Sequence, residues 1–425
     1  MTSRTGPAMA ILCALLNLAC PESGAGDWPQ WRGPDRDGRV SDGEPFPEAL
    51  PAQASPAWRI EAGGGHSGIV VTDGSLVYLD EREGREVAHR LDARTGREIW
   101  RQPYAEAHKD EWGAGPRSTP FIDDGQVFVQ SCRGEFRCLD LADGKIRWGV
   151  SFEKDFGAVF TGENLSQTGA ATRRGNNGSG IVDGHRVFVP VGATNGASVV
   201  SFDRRTGRKL WQSQNDAMAY SSFLVREVAG VRQVIVFSAH ALMGLRPDDG
   251  QLLWRVPLKT SANRHVLTPI VVEDRVIVGS HTLGMVATRI VPEGAGLRAI
   301  PAWTNRNLKI NLSTPVTAGH HLYGLGPGKR LVAFDARTGQ IAWSQAGFGD
   351  YASLIAQGDR LLVLTDLGEL VMIDADPAGY RERGRLQVCG KTWSFPAWAG
   401  GLLYVRDERE ITCWNLKSDP RPGNR

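Results

Sequence analysis

The chain has 425 residues, 41% of them hydrophobic, and a formal net charge of +2. A balance this close to neutral excludes bulk electrostatic attraction to nucleic acid or to an anionic membrane surface. Length alone would allow two or three domains, but a chain of repeats can close into one.

Residues 1–26 stand apart from the rest. Arg4 supplies a short positive start, and the run AMAILCALLNLA that follows is too short to span a bilayer. Ser23, Gly24, Ala25 and Gly26 then offer a cleavage site, so the segment reads as a secretory signal. Leu18-Ala19-Cys20 resembles the end of a bacterial lipobox, which would put a lipid anchor on Cys20, although Asn17 stands where Leu is usual. No later stretch is apolar enough for a transmembrane helix, and the chain reads as exported, periplasmic or extracellular. Residues 27–56 open with DWPQWRGP, a strap whose Trp28 and Trp31 are expected to pack on the side or base of the main fold. From residue 35 the composition turns to Pro, Gly and Asp, as in a linker.

From residue 57 to residue 416 one pattern recurs. LDARTGREIW ends at Trp100, LDLADGKIRW at Trp148, FDRRTGRKLW at Trp211, LRPDDGQLLW at Trp254 and FDARTGQIAW at Trp343. Weaker copies end at Trp303 and near Leu386, and PAWRI holds Trp58 with no turn before it. Intervals of 42, 48, 63, 43, 49 and 40 between successive tryptophans mark a propeller or solenoid. The Asp in each copy can accept from backbone N–H groups further along, and Gly96, Gly144, Gly207, Gly250 and Gly339 supply the positive φ of a tight reversal. Upstream lie short runs such as Gln126-Val127-Phe128-Val129, rich in β-branched and aromatic residues. Each unit is therefore four antiparallel strands, a propeller blade.

Eight units begin near Ser67, Ser118, Ser179, Ser221, Thr268, Thr314, Ser353 and Ser394. The last lacks an outer strand, while residues 57–60 form a strand without a blade. The fold class is all-β: an eight-bladed propeller of four-stranded antiparallel blades, its ring closed by that N-terminal strand. A seven-bladed ring would follow if residues 373–393 were irregular. Residues 417–425 form a tail.

The repeat Asp-Ala-x-Thr-Gly-x-x-x-Trp resembles the pyrroloquinoline quinone (PQQ) repeat, the tryptophan-docking motif of quinoprotein dehydrogenases and of non-enzymatic envelope propellers. Asp92, Ala93, Thr95, Gly96 and Trp100 match it well, as do Asp335, Ala336, Thr338, Gly339 and Trp343. The resemblance implies that Trp58, Trp100, Trp148, Trp211, Trp254, Trp303 and Trp343 are structural docking residues. It also raises PQQ with calcium as a cofactor. The dehydrogenases hold their quinone under a vicinal disulfide, however, and this chain has no Cys-Cys pair and is shorter than they are.

Function is sought in the loops. Two connections between blades are long, residues 101–117 and 149–178, and the second carries the polar run TRRGNNG. Residues just before the inner strands should gather around one channel mouth: His66, Arg117, Asn177, Tyr220, Arg264 with His265, Lys309 with Asn311, Asp350 with Tyr351, and Lys391 with Trp393. This ring is polar, aromatic and net basic, and would suit a small anionic ligand, since carboxylates match Arg geometrically. His66, His108, His240, His265 and His281 share that face without the local spacing of a metal site, so no metal is expected. Cys132 and Cys138 sit in registers that hold them apart. Cys389 and Cys413 fall where the last two blades could be bridged. No nucleophile elbow or other catalytic pattern is present. The reading is a non-catalytic scaffold with protein partners in the cell envelope, no catalytic residue and no cofactor. The alternatives are a PQQ-dependent alcohol or aldose dehydrogenase and a carbohydrate-binding or carbohydrate-cleaving propeller.

Overall fold

The repeated turn does what its residues dictate. Asp92 Oδ1 accepts from the N–H groups of Arg94 and Thr95 at 3.1 and 2.9 Å and from the Thr95 hydroxyl at 2.9 Å. Gly96, at φ +72°, returns its N–H to the Asp92 carbonyl. Asp203 and Asp335 repeat the arrangement with Thr206 and Thr338. In each of the first seven blades a register shift follows between third and fourth strands, as between Arg90 and Leu91. Such bulges sharpen the right-handed twist that a blade needs.

A computed structural model describes residues 26–160, 174–260 and 262–417. The signal-like segment with Cys20, and most of the 417–425 tail, lie outside the described residues. Eight four-stranded antiparallel sheets surround one axis. The first blade comprises Val70–Thr72, Ser75–Arg82, Arg85–Asp92 and Glu98–Glu106. Blades two to seven cover residues 121–151, 181–213, 224–257, 270–305, 316–346 and 352–387. The eighth takes Ala397–Ala399, Leu402–Arg406 and Glu410–Asn415 from the C-terminal end and Trp58–Glu61 as its outer strand, with Trp58 opposite Cys413. Residues 382–387 pair with Glu369–Asp374 as a fourth strand, with the same register shift as the six blades before it, which settles the count at eight. Cys132, Cys138, Cys389 and Cys413 are all free thiols.

The tryptophans lie between blades. Trp58 donates its ring N–H to the Ala93 carbonyl of the next blade at 3.1 Å, Trp100 to Leu141 at 2.8 Å and Trp148 to Arg204 at 3.0 Å. Trp211, Trp303 and Trp343 do the same to Pro247, Ala336 and Asp376. Each ring except that of Trp343 covers the turn glycine of its neighbour so closely that a Cβ there would collide with it. Trp254 departs from the set. Its neighbour has a long hairpin, Gly284–Glu293 with Gly296–Asn305, in place of the Asp-Gly turn, and Trp254 donates to Gln233 Oε1 of its own blade at 2.5 Å.

Three arginines with at most 1% exposure fasten the ring through backbone carbonyls. Arg406 binds the carbonyls of Gly63 and Gly64 at 2.9 Å and that of Leu79, sewing the eighth blade to the first. Arg32 and Arg36 belong to the strap, which packs on the base of the ring, at the ends of the inner strands. It crosses the propeller axis. Trp28 exchanges backbone hydrogen bonds with Val71, Pro29 accepts from Ile122 and Val40 donates to Ala356. Arg32 reaches the carbonyls of Thr314 and Pro315 at 2.6 and 2.7 Å, and Arg36 those of Ser179, Gly180 and Phe223. Residues 41–50, linker-like in composition, continue along the seventh and eighth blades: Gln357 binds the Ser41 and Glu44 carbonyls, and Trp398 that of Pro45. Leu50 lies on Gly384, where the seventh blade has no tryptophan. A Pro- and Gly-rich stretch looks like a linker because its own side chains bury little. Here its backbone groups are paired by the blades.

Candidate functional site

A Ser or Thr stands at or within three residues of the start of each inner strand, and several of these hydroxyls join neighbouring blades around the axis. Ser67 Oγ donates to the Ser118 carbonyl at 2.9 Å, Thr119 N–H to Ser179 Oγ at 3.1 Å and Ser179 N–H to Ser222 Oγ at 3.0 Å. Thr268 N–H reaches Thr314 Oγ1 at 3.1 Å. The strap turns this ring into a blind cavity. Trp31 forms the floor, its indole N–H on Thr268 Oγ1 at 2.9 Å and its ring 5.0 Å from that of Phe395. Above it opens a space of about 490 Å³.

Seven of the twelve residues expected at the mouth line this cavity: His66, Arg117, Asn177, Tyr220, Arg264, Tyr351 and Trp393. The other five, His265, Lys309, Asn311, Asp350 and Lys391, do not. His265 is fully buried, stacked on Phe237 at 4.1 Å, with Nδ1 2.6 Å from the Ser238 carbonyl. Lys309 is exposed because Leu308 and Ile310 on either side point into the core. Lys391 is exposed and meets Glu408 at 3.8 Å. At His265 and Lys309 alternation along the backbone sends adjacent side chains opposite ways. Sequence reasoning missed Trp31, Trp112 and Arg174 as lining residues. Trp112 was legible as a lone aromatic in a polar connection. That connection folds as a hairpin, Lys109–Asp110 with Gly113–Ala114, which leans over the mouth. Its Trp112 ring lies 5.0 Å from that of Trp393, and its Trp112 carbonyl is 2.9 Å from His66 Nε2. Residues 161–173 of the second long connection lie outside the described residues.

The cavity is cationic. Asp110 takes both prongs of Arg117, at 2.5 and 2.9 Å. Burial works to raise its carboxyl, but the bonds from Arg117 and from the Trp112 N–H hold it below the usual range. Arg174 pairs with Glu111 and lies 3.6 Å from Asp110. Burial, with Arg117 nearby, pushes His66 below the ordinary imidazole range and favours its neutral form. This set does not fit PQQ with calcium. Calcium takes six to eight oxygen ligands rich in carboxylate. The cavity's carboxylates are engaged by arginines, and among the described residues no group of three His, Cys, Asp or Glu is placed to hold a metal.

Behind Arg117 sits Glu86, fully buried, accepting from Tyr104 Oη at 2.8 Å and Cys132 N–H at 3.3 Å. Burial raises its carboxyl to about 7. A raised acid group stabilises the fold below its unfolded value and loses that contribution as pH climbs through about 7. Between pH 5 and 7 the loss is about 2 kcal/mol. Glu86→Gln should flatten the pH dependence of unfolding by that amount, as measured by denaturant titration at the two values. An unchanged slope would show that Glu86 is ionised throughout.

Comparison with known proteins agrees with this geometry. A family model described as "Outer membrane protein assembly factor BamB" matches residues 83–345 and 299–379. A Yersinia pestis protein of that name is 21% identical over 69% of this chain and 72% of its own length. The crystal structure of BamB from Moraxella catarrhalis superposes with a TM-score of 0.60 at 16% identity, covering 86% of this chain and 98% of that one. A quinohemoprotein alcohol dehydrogenase from Pseudomonas putida HK5 reaches the same TM-score at 13% identity, over 94% of this chain and 82% of its own. Likeness at these identities speaks for the fold alone. The family match runs from the first blade to the seventh and covers well over half of the sequence: the chain belongs to the outer membrane protein assembly factor BamB family.

Proposed function

We propose that the protein is a non-catalytic scaffold of the cell envelope, binding protein partners during assembly of outer-membrane proteins. The observation that carries this reading is the family match across seven consecutive blades. The chemistry of the axis is compatible with it, since the cavity's carboxylates are engaged by arginines. In this reading residues 1–26 direct export and Cys20 carries a lipid that holds the propeller at a membrane surface. Among the described residues no helix is long and apolar enough to cross a membrane.

The test is made in the host. Deleting the gene should lower the amounts of β-barrel proteins in the outer membrane, read by quantitative mass spectrometry of the envelope, and the wild-type chain should restore them. Unaltered amounts would sink the scaffold reading.

A further inference from the structure

One charge in the axial cavity is not answered by the fold. Of its three arginines, Arg117 and Arg174 are paired with Asp110 and Glu111. Arg264 lines the same space, and among the described residues no carboxylate stands within salt-bridge distance of it. Its Nε is buried with no protein acceptor, and so is the indole N–H of Trp393 across the cavity lining. Desolvated donors without partners are costly, a guanidinium most of all. Tyr220 adds a third donor: its oxygen already accepts from Arg174 N–H at 3.3 Å, which leaves its own proton to give. The apolar part of the lining is the Trp31 floor, the Trp112 and Trp393 rings and Leu312, beside the polar Thr119, Asn177, Ser179 and Ser222. A volume of about 490 Å³ falls within the roughly 300–1,000 Å³ of small-molecule sites.

We propose that this cavity is a binding site for a small monocarboxylic acid with a flat aromatic body. Arg264 takes the carboxylate through two parallel N–H···O bonds, Tyr220 donates to the same group, and the ring rests against the tryptophans. One unpaired cation answers one carboxylate, so a polycarboxylate would leave charge unmatched. The site is independent of the scaffold reading, because its readout is ligand binding by the purified protein.

The test titrates the purified exported protein with 3-phenylpropionate and 2-naphthoate, following tryptophan fluorescence and calorimetry, beside the corresponding neutral amides. At least one acid should bind saturably at one per chain, its amide at least tenfold more weakly. Arg264→Gln should weaken the acid at least tenfold while the melting temperature holds, since no ion pair of the described residues is lost with it. Trp393→Leu should weaken acid and amide together. The proposal is overturned if neither acid binds saturably up to millimolar concentration, if amides bind as well as acids, or if Arg264→Gln binds like the parent.

Discussion

Replacing Arg32 with Met should cost about 4 kcal/mol of stability, a fall in melting temperature of about 5 °C for a ring of this size. The methionine keeps much of the side-chain volume but none of the donors. The carbonyls of Thr314 and Pro315, entering the sixth blade, and that of Asp37 would then face a buried space with no N–H to meet them. Each orphaned carbonyl costs on the order of 1–3 kcal/mol, partly offset by relief of the desolvated guanidinium. Burial, opposed in part by Asp37 nearby, draws the Arg32 guanidinium down to about 10, and the three orphaned carbonyls together outweigh the relief of that charge. Differential scanning calorimetry decides the matter. A melting curve that overlays the parent would mean that the strap is held by Trp28 and the backbone alone.

The second large effect is expected at Gly207. Its φ is +70°, and a Cβ built on it would come within 2.5 Å of the Trp148 ring. Gly184 has a similar φ of +60° but nothing within 4 Å. Alanine at Gly184 should therefore cost about 1 kcal/mol, the strain of a left-handed backbone alone. Alanine at Gly207 should cost about 3 kcal/mol, because Trp148 must lift off the turn and lose both ring contact and its bond to the Arg204 carbonyl. The difference should vanish when Trp148 is already alanine. Equal costs at the two glycines in the parent would deny the tryptophan any part in holding blades together.

Much of the ring was legible because its signals are local. Asp203, Thr206 and Gly207 lie within five residues and specify a turn whatever surrounds them. The closing strand could be found from a blade lacking a strand and a strand lacking a blade. The cavity was only partly legible. Reading the residue before each inner strand finds His66, Asn177 and Trp393, but fails at His265 and Lys309, where one residue of register reverses the side chain. Trp31 could be expected on the side or base but not at the floor of the axial cavity. Its partner Thr268 lies 237 residues away, and a Pro-rich opening contains no signal for the axis of a ring that does not yet exist. The strap's arginines were invisible for the same reason: their partners are carbonyls, which every sequence has.

The strap also sets an order of events. Pro45 waits for Trp398, 353 residues later, and Trp58 waits for Cys413. These are the first folded residues to leave the ribosome and the last to find their places. Until the final blade exists, the nascent chain is an arc with an empty hub and an unpaired edge, and contacts of this sequence separation form slowly. An incomplete copy lacks the partners that would fasten its beginning. In the finished copy that beginning is tied down by backbone bonds to Val71, Ile122 and Ala356, one in each of three blades.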